Sequence, residues 1–388
     1  MILTRNIFLK NFKNKVNTKN IHKDLAKFLK NKNQILNSLS NEYKYSYSNI
    51  FIKKFKNKFS SLRIIGMGGS ILGMKAIYNF LKFKIKKKIF FVDNLVSYRK
   101  NTKEKNYLNL IISKSGNTLE TISNVNLLIN KKTKNIFITE NKDNYLRKLA
   151  NKLKSEIVDH NNFIGGRYSV LSEVGMLPTS LVGLNEKKFK QFNSLVKNKK
   201  FINALVLNVA NIIFFLKKKK FNSIIINYDE NSDDLFRWYQ QLVAESLGKK
   251  QKGFLPSIST MPKDNHSLMQ LYLDGPKNNF FTFFITSESK SNKLNTRDLI
   301  KSHNYLKNKN LYEIVQSQKN ATEKVFNEKK IPFRSFQILK RSEETLGELF
   351  SFFILETILI GRAIKINPYD QPAVELIKKS TKKNLQSY

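Results

Sequence analysis

Two short segments of the chain carry residue types that could grip a phosphate. The first is Gly66-Met67-Gly68-Gly69-Ser70, which follows the apolar run Leu62–Gly66 and precedes a helix-forming stretch. Glycines let backbone N–H groups come close to a ligand, and a helix N-terminus adds partial positive charge. The second is Ser113-Lys114-Ser115-Gly116-Asn117-Thr118, directly after the apolar run Leu108–Ile112. It offers the hydroxyls of Ser113, Ser115 and Thr118 and the ammonium of Lys114 at one place. A phosphate needs many donors converging from one side, and this loop supplies them. Neither segment is a Walker A loop, because no Gly-Lys-Ser/Thr follows four variable residues, so a nucleoside triphosphate is not implied.

Both segments sit where a strand would run into a helix. Leu62–Gly66, Ile89–Asp93, Leu108–Ile112 and Asn135–Thr139 read as strands, with helices over Leu72–Phe83 and Leu119–Asn130 between them. Strand–helix–strand at this spacing predicts a doubly wound parallel sheet, whose ligands bind at the carboxyl ends of its strands. A second series follows, with strands at Ser223–Asn227, Phe280–Ile285 and Arg334–Leu339. Ser232 reads as the N-cap of a helix that Gly248 ends. A long apolar helix, Leu346–Lys365, is stopped by Pro368, and a last helix starts near Gln371. The expected fold is α/β: an N-terminal helical arm over residues 1–60, two doubly wound parallel-sheet domains over 61–195 and 196–366, and a C-terminal helix over 367–388.

The 388 residues have 41% hydrophobic content, enough for two cores. There is no cysteine, so disulfides, thiolate metal sites and thiol catalysis are excluded. The stretches Phe201–Leu216 and Leu349–Ile364 are interrupted by Asn203, Asn208, Asn211, Glu356 and Arg362. Both fall short of the roughly 20 clean apolar residues of a membrane span, and both are expected as buried helices. The basic start has no apolar core of a secretory signal, which points to the cytoplasm. The formal charge is +41, from 70 Lys plus Arg against 29 Asp plus Glu. The lysines are scattered rather than gathered in a stripe, which argues against nucleic acid as the partner; the field would instead draw in a small anion.

Six segments, in order, resemble the glucose-6-phosphate isomerase family, built on paired sugar-isomerase domains. They are GMGGSILG at Gly66–Gly73, SKSGNTLET at Ser113–Thr121, GGRYSVLSEVG at Gly165–Gly175, QLVAESLGK at Gln241–Lys249, KDNHSLMQLYLDG at Lys263–Gly275 and YDQPAVELIK at Tyr369–Lys378. The resemblance implies an aldose–ketose isomerase of a phosphosugar, with no metal or organic cofactor. It implies that Ser113, Lys114, Ser115 and Thr118 hold the phosphate, and that Gly69 and Ser70 line the sugar site. Arg167 would face the reacting carbons and Glu245 would carry the proton between them. His266 would serve ring opening from the partner subunit of a homodimer. Lys378 would assist it with Gln371 alongside, its neighbour Lys379 being the other choice. Asn117, Leu247 and Ile377 stand where the family more often has Thr, Asn and Gly.

The residue types suit that chemistry. A carboxylate can take a carbon-bound proton and return it. A fixed guanidinium stabilises the enediolate that forms between, most strongly where water is excluded. Ring opening needs a group that titrates near neutrality, and the chain has four histidines, His22, His160, His266 and His303. His22 and His303 lie in polar, Lys/Asn-rich stretches and read as surface residues. His160 precedes the GGRYSV stretch and is a lesser candidate.

Overall fold

The computed structural model describes residues 3–31, 33–97, 106–288, 291–295, 297 and 299–387. The chain opens with β1 (Ile7–Lys10), α1 (Lys19–Lys30), α2 (Gln34–Leu39) and α3 (Asn49–Lys56). A first α/β series follows: β2 (Ser61–Gly66), α4 (Leu72–Phe80), β3 (Lys88–Val92), β4 (Tyr107–Ile112), α5 (Leu119–Leu128), β5 (Lys134–Glu140), α6 (Tyr145–Lys152) and β6 (Glu156–His160). Helices α7 (Glu173–Leu181), α8 (Phe192–Leu195) and α9 (Lys199–Lys217) lead to the second series. That series is β7 (Asn222–Asn227), α10 (Asp233–Leu247), β8 (Leu255–Thr260), α11 (Met269–Asp274), β9 (Asn279–Thr286), α12 (Leu311–Glu328) and β10 (Phe333–Ile338). The chain ends in α13 (Glu343–Ala363) and α14 (Pro372–Gln386).

The first sheet is wholly parallel, in the order β3-β2-β4-β5-β6. Its strands are apolar on both faces, as a sheet covered by helices on both sides requires. Ile65, Ile111 and Phe137 face α5 and α6, where they meet Val125, Leu146 and Ala150. Ile64, Leu110 and Ile138 face a central layer that also receives Ile77 of α4, Leu242 of α10 and Leu355 of α13. The second sheet, in the order β1-β10-β9-β7-β8, closes that layer from the other side with Ile225, Phe284 and Phe336. Its outer face packs Phe281 and Phe283 on Phe326 of α12.

One expectation is corrected here. The first 60 residues are not all helical, because Ile7–Lys10 is a strand that pairs antiparallel with β10, Ile7 opposite Ile338. Ile7 and Leu9 are buried and Phe8 between them is exposed, the alternation of a half-covered edge strand. β6 and β8 also complete sheets that sequence patterning left short by a strand each.

The two apolar stretches are helices α9 and α13. Among the described residues α9 alone is long and apolar enough to cross a membrane, and more than half of that length is buried inside the protein. In α13 the interruption at Glu356 has a structural cause. Its carboxylate pairs with Arg334 of β10, both side chains being fully buried, and Tyr239 also donates to it. Asn208 of α9 accepts from the same guanidinium at 3.2 Å. A buried charge without such partners would cost several kcal/mol, so the pair fixes how β10, α9, α10 and α13 fit together.

Candidate active site

The Gly-rich turn and the Ser/Thr loop leave adjacent strands, since β2 pairs with β4 and Gly66 stands opposite Ile112. After Gly66 the chain makes one short helical turn, Gly68–Ser70, and enters α4. Gly69 presses on the backbone of Gly166: a Cβ at Gly69 would lie 2.2 Å from the Gly166 carbonyl carbon. No side chain fits there, so glycine is what lets the two turns meet. Gly68, on the other side, meets Gln241 of α10.

The Ser113–Thr118 loop is shaped by its own bonds. Ser113 and Thr118 share a hydroxyl–hydroxyl bond of 2.9 Å across the loop. Gly116 adopts φ +65° directly against the Asn144 side chain, a conformation and a space that suit glycine alone. The Asn117 side chain accepts from the Tyr145 backbone and so ties the loop to the start of α6. Lys114 is held by the Asn162 carbonyl at 2.8 Å and lies 3.4 Å from Glu140. The loop thus presents hydroxyls and backbone N–H groups at the mouth of the sheet, close to the Gly-rich turn.

Arg167 is the centre of the constellation. It lies in the short helical turn Gly166–Leu171, and its side chain is 2% exposed. All five guanidinium N–H groups have acceptors. Nε donates to Ser246 Oγ at 2.8 Å, and Nη1 donates to Glu245 Oε2 at 3.1 Å and Gln371 Oε1 at 2.8 Å. Nη2 donates to the carbonyls of Pro368 at 2.8 Å and Asp370 at 3.1 Å. One planar fork therefore joins the end of α10 to the chain that enters α14. Tyr168 reinforces the joint by bonding Ser246 and the Pro368 carbonyl; burial pushes its hydroxyl up to about 12.

Glu245 is in the last turn of α10 and half-buried. One carboxylate oxygen accepts from Arg167 and the other from Gln241 at 2.9 Å, one helical turn earlier. The spacing i, i+4 puts Gln241 and Glu245 on one face. Held from both sides, the carboxylate is fixed beside the Gly-rich turn.

The sequence-derived site residues thus fall into two groups. Arg167, Glu245, Gln371, Gly69 and Ser70 meet directly or through one neighbour, and Ser113, Lys114, Ser115 and Thr118 lie one strand away. His266 and Lys378 stand apart within the chain. His266 follows β8 on an exposed turn that Asp264 organises by accepting from Ser259, Ser267 and the Thr260 backbone. The His266 imidazole makes no hydrogen bond to any described residue. Lys378 lies on α14, exposed, and pairs with Glu375 at 2.6 Å. No residue of α14 is buried. His160, the lesser candidate, is buried at the end of β6 and bonds the Asn161 carbonyl through Nδ1; burial pulls it down to about 4. Gln241, Ser246 and Tyr168 were not singled out from sequence, although the i, i+4 spacing of Gln241 and Glu245 was there to be read. Among the described residues no cluster of His, Asp and Glu could hold a metal ion.

Comparison with known proteins agrees with this geometry. A family model described as phosphoglucose isomerase matches residues 13–387. The glucose-6-phosphate isomerase of Methanocaldococcus jannaschii is 32% identical over 348 residues, covering 84% of this chain and 85% of that protein. That of Mycoplasmopsis synoviae is 33% identical over 354 residues, covering 84% and 82%. Among solved structures, a hypothetical protein of Thermus thermophilus superposes with a TM-score of 0.82 at 21% identity, covering 95% of this chain and 94% of that one. A glucose-6-phosphate isomerase of Chlamydia trachomatis gives 0.70 at 20%, covering 87% and 72%. These two likenesses concern the fold. A match over nearly the whole chain, with relatives above 30% identity over more than four-fifths of it, settles the membership: the chain belongs to the phosphoglucose isomerase family.

Proposed function

We propose that the protein interconverts glucose 6-phosphate and fructose 6-phosphate, a step of glycolysis and gluconeogenesis. The observation that carries the reading is the fixed Arg167–Glu245 pair beside the Gly-rich turn, one strand from a loop of phosphate-binding character. The phosphate anchors one end of the sugar in the Ser113–Thr118 loop through hydroxyls and backbone N–H groups. Gly69 and Ser70 line the chain of carbons between. At the far end Glu245 takes the proton from C2 of the open aldose and delivers it to C1, while the hydroxyl proton at C1–C2 redistributes to leave the ketose. The enediolate between these steps carries negative charge on oxygen, and the fixed positive charge of the Arg167 guanidinium beside Glu245 stabilises it. The reaction moves protons between neighbouring carbons and oxygens and draws on no hydride acceptor.

Ring opening needs an acid–base group near the ring oxygen. We assign it to His266 of a second copy of the chain, in a homodimer. The support is that the exposed His266 imidazole has no hydrogen-bond partner among the described residues, while the histidine nearest the half-site built by one chain, His160, is buried. Lys378 joins from α14, the helix whose N-cap is Gln371. A cytoplasmic location is part of the same reading, since the substrates are phosphorylated sugars that do not cross membranes freely.

The test is an assay of glucose 6-phosphate production from fructose 6-phosphate, repeated with mannose 6-phosphate. Turnover of the first alone is expected. Turnover of both would widen the substrate class, and turnover of neither would remove the proposal.

A further inference from the structure

The two halves repeat one strand order. The first half runs β3-β2-β4-β5 and the second β8-β7-β9-β10. In each, the chain moves from its first strand to one neighbour and then crosses to the other side. The crevice of a doubly wound sheet therefore opens between the first and third strands of each half. In the first half that crevice holds the turns after β2 and β4, the two segments of the candidate active site. In the second half the matching turns, after β7 and β9, open into a cleft of about 850 Å³.

Asn231 and Glu288 come from those two turns, and Leu339, Lys340 and Arg341 from the end of β10. Lys82 and Phe83, just beyond α4, close it from the first half. The volume is that of a small-molecule site. Arg341 lies at its base with its side chain 10% exposed. Nη2 bonds Asp229 and Glu288, but Nη1 is buried and has no hydrogen-bond partner among the described residues. An unpaired guanidinium N–H in such a place costs free energy until an acceptor arrives. Lys82 and Lys340 are exposed at the rim and, among the described lining residues, face one carboxylate, Glu288. Phe83 is 67% exposed and Leu339 45%, apolar surface beside those cations.

We propose that this second crevice binds a small phosphomonoester that carries a planar apolar group, a nucleoside monophosphate being the simplest. The phosphate would meet Lys82 and Lys340 at the rim, Arg341 would turn its unpaired Nη1 outward to join them, and the planar group would lie on Phe83 and Leu339. The site is distinct from the catalytic one: α4 starts at the Gly-rich turn and ends at the cleft, and α10 starts at the cleft and ends at Glu245.

The experiment is calorimetric titration of adenosine monophosphate into the full-length protein, at about 0.15 M salt to screen unspecific attraction by the basic surface. The protein is first saturated with the equilibrium mixture of its hexose phosphates, so the catalytic site is occupied. One saturable event per chain is expected. The double variant Lys82→Glu/Lys340→Glu, altered only at exposed positions, should weaken it by about tenfold or more. Its Michaelis constant for fructose 6-phosphate should stay unchanged. Absence of saturable binding, many weak sites per chain, or binding indifferent to the double variant would overturn the proposal. Ribose 5-phosphate binding as tightly as adenosine monophosphate would overturn the assignment of the planar group to Phe83 and Leu339.

Discussion

Arg167 and Glu245 lie 78 positions apart in sequence and are joined by a 3.1 Å bond between Nη1 and Oε2. The first comes from the turn after the first sheet and the second from the last turn of α10. What brings them together is the central helical layer, where α10 packs against α4 under the Gly-rich turn. The same guanidinium bonds two main-chain carbonyls, Pro368 and Asp370, so the chain that enters α14 belongs to the same joint.

Because all five donors of Arg167 are used, charge alone does not replace it. Arg167→Lys keeps the charge but loses the planar fork, leaving at least two of its five acceptors unmet in a buried place. We expect turnover to fall by about a hundredfold, with a smaller change in the Michaelis constant. Urea unfolding should show a loss of about 2 kcal/mol or more. A lysine variant with unaltered turnover and stability would contradict the role given to the fork.

The placement of His266 makes a prediction about mixtures. In a dimer that shares histidines, mixing Glu245→Gln with His266→Ala rebuilds one complete site in each mixed dimer. After dissociation and reassociation of equal amounts, activity should return to roughly one quarter of the wild-type level, as random pairing of two subunits requires. If the mixture stays as inactive as its parents while mixed dimers are shown to form, the histidine does not cross.

His160 gives the stability a pH dependence of known sign. Burial holds it at about 4 in the folded protein, below its ordinary 6.5. Between these values the unfolded chain binds the proton and the folded one does not, so stability rises with pH across that window and is lost as pH falls. The full effect is about 3 kcal/mol, the shift converted at 1.36 kcal/mol per unit. Glu348 acts oppositely, since burial pushes it up to about 7 and its stabilisation is lost as pH rises from the ordinary carboxylate value through that point. The difference between wild type and His160→Gln isolates the histidine. That difference should grow from pH 4 to 6.5, and a flat difference would contradict the burial argument.

Much of this was legible in the sequence, for identifiable reasons. The first sheet announced itself because its strands are continuous apolar runs broken by polar turns, and both phosphate-type turns follow such runs. Strand β1 was hidden because Ile7–Leu9 is too short to show an alternation and pairs with a strand more than three hundred residues away. β8 was hidden because its sequence, Leu255-Pro-Ser-Ile-Ser-Thr260, is half polar and has a proline at its second position, as an edge strand can. The motif glutamate and arginine could be named, but not their bond, because it depends on two turns meeting at Gly69 and Gly166. The carbonyls of Pro368 and Asp370 were beyond reach altogether, since no side-chain pattern marks a main-chain acceptor. Glu356 read as an interruption in an apolar stretch, and its partner Arg334 could be found only once β10 and α13 were packed.

The central claim is that Glu245 moves the proton, and its most direct test is the turnover of Glu245→Gln with substrate affinity measured separately. The amide oxygen can still accept from Arg167, and Gln241 can turn its own amide over to accept from the new NH2, so the site should stay assembled and fructose 6-phosphate should bind within a few-fold of wild type. Turnover should fall by about 10²–10⁴-fold, the range a positioned base contributes. Turnover near the wild-type rate in that variant, with binding intact, would contradict the account.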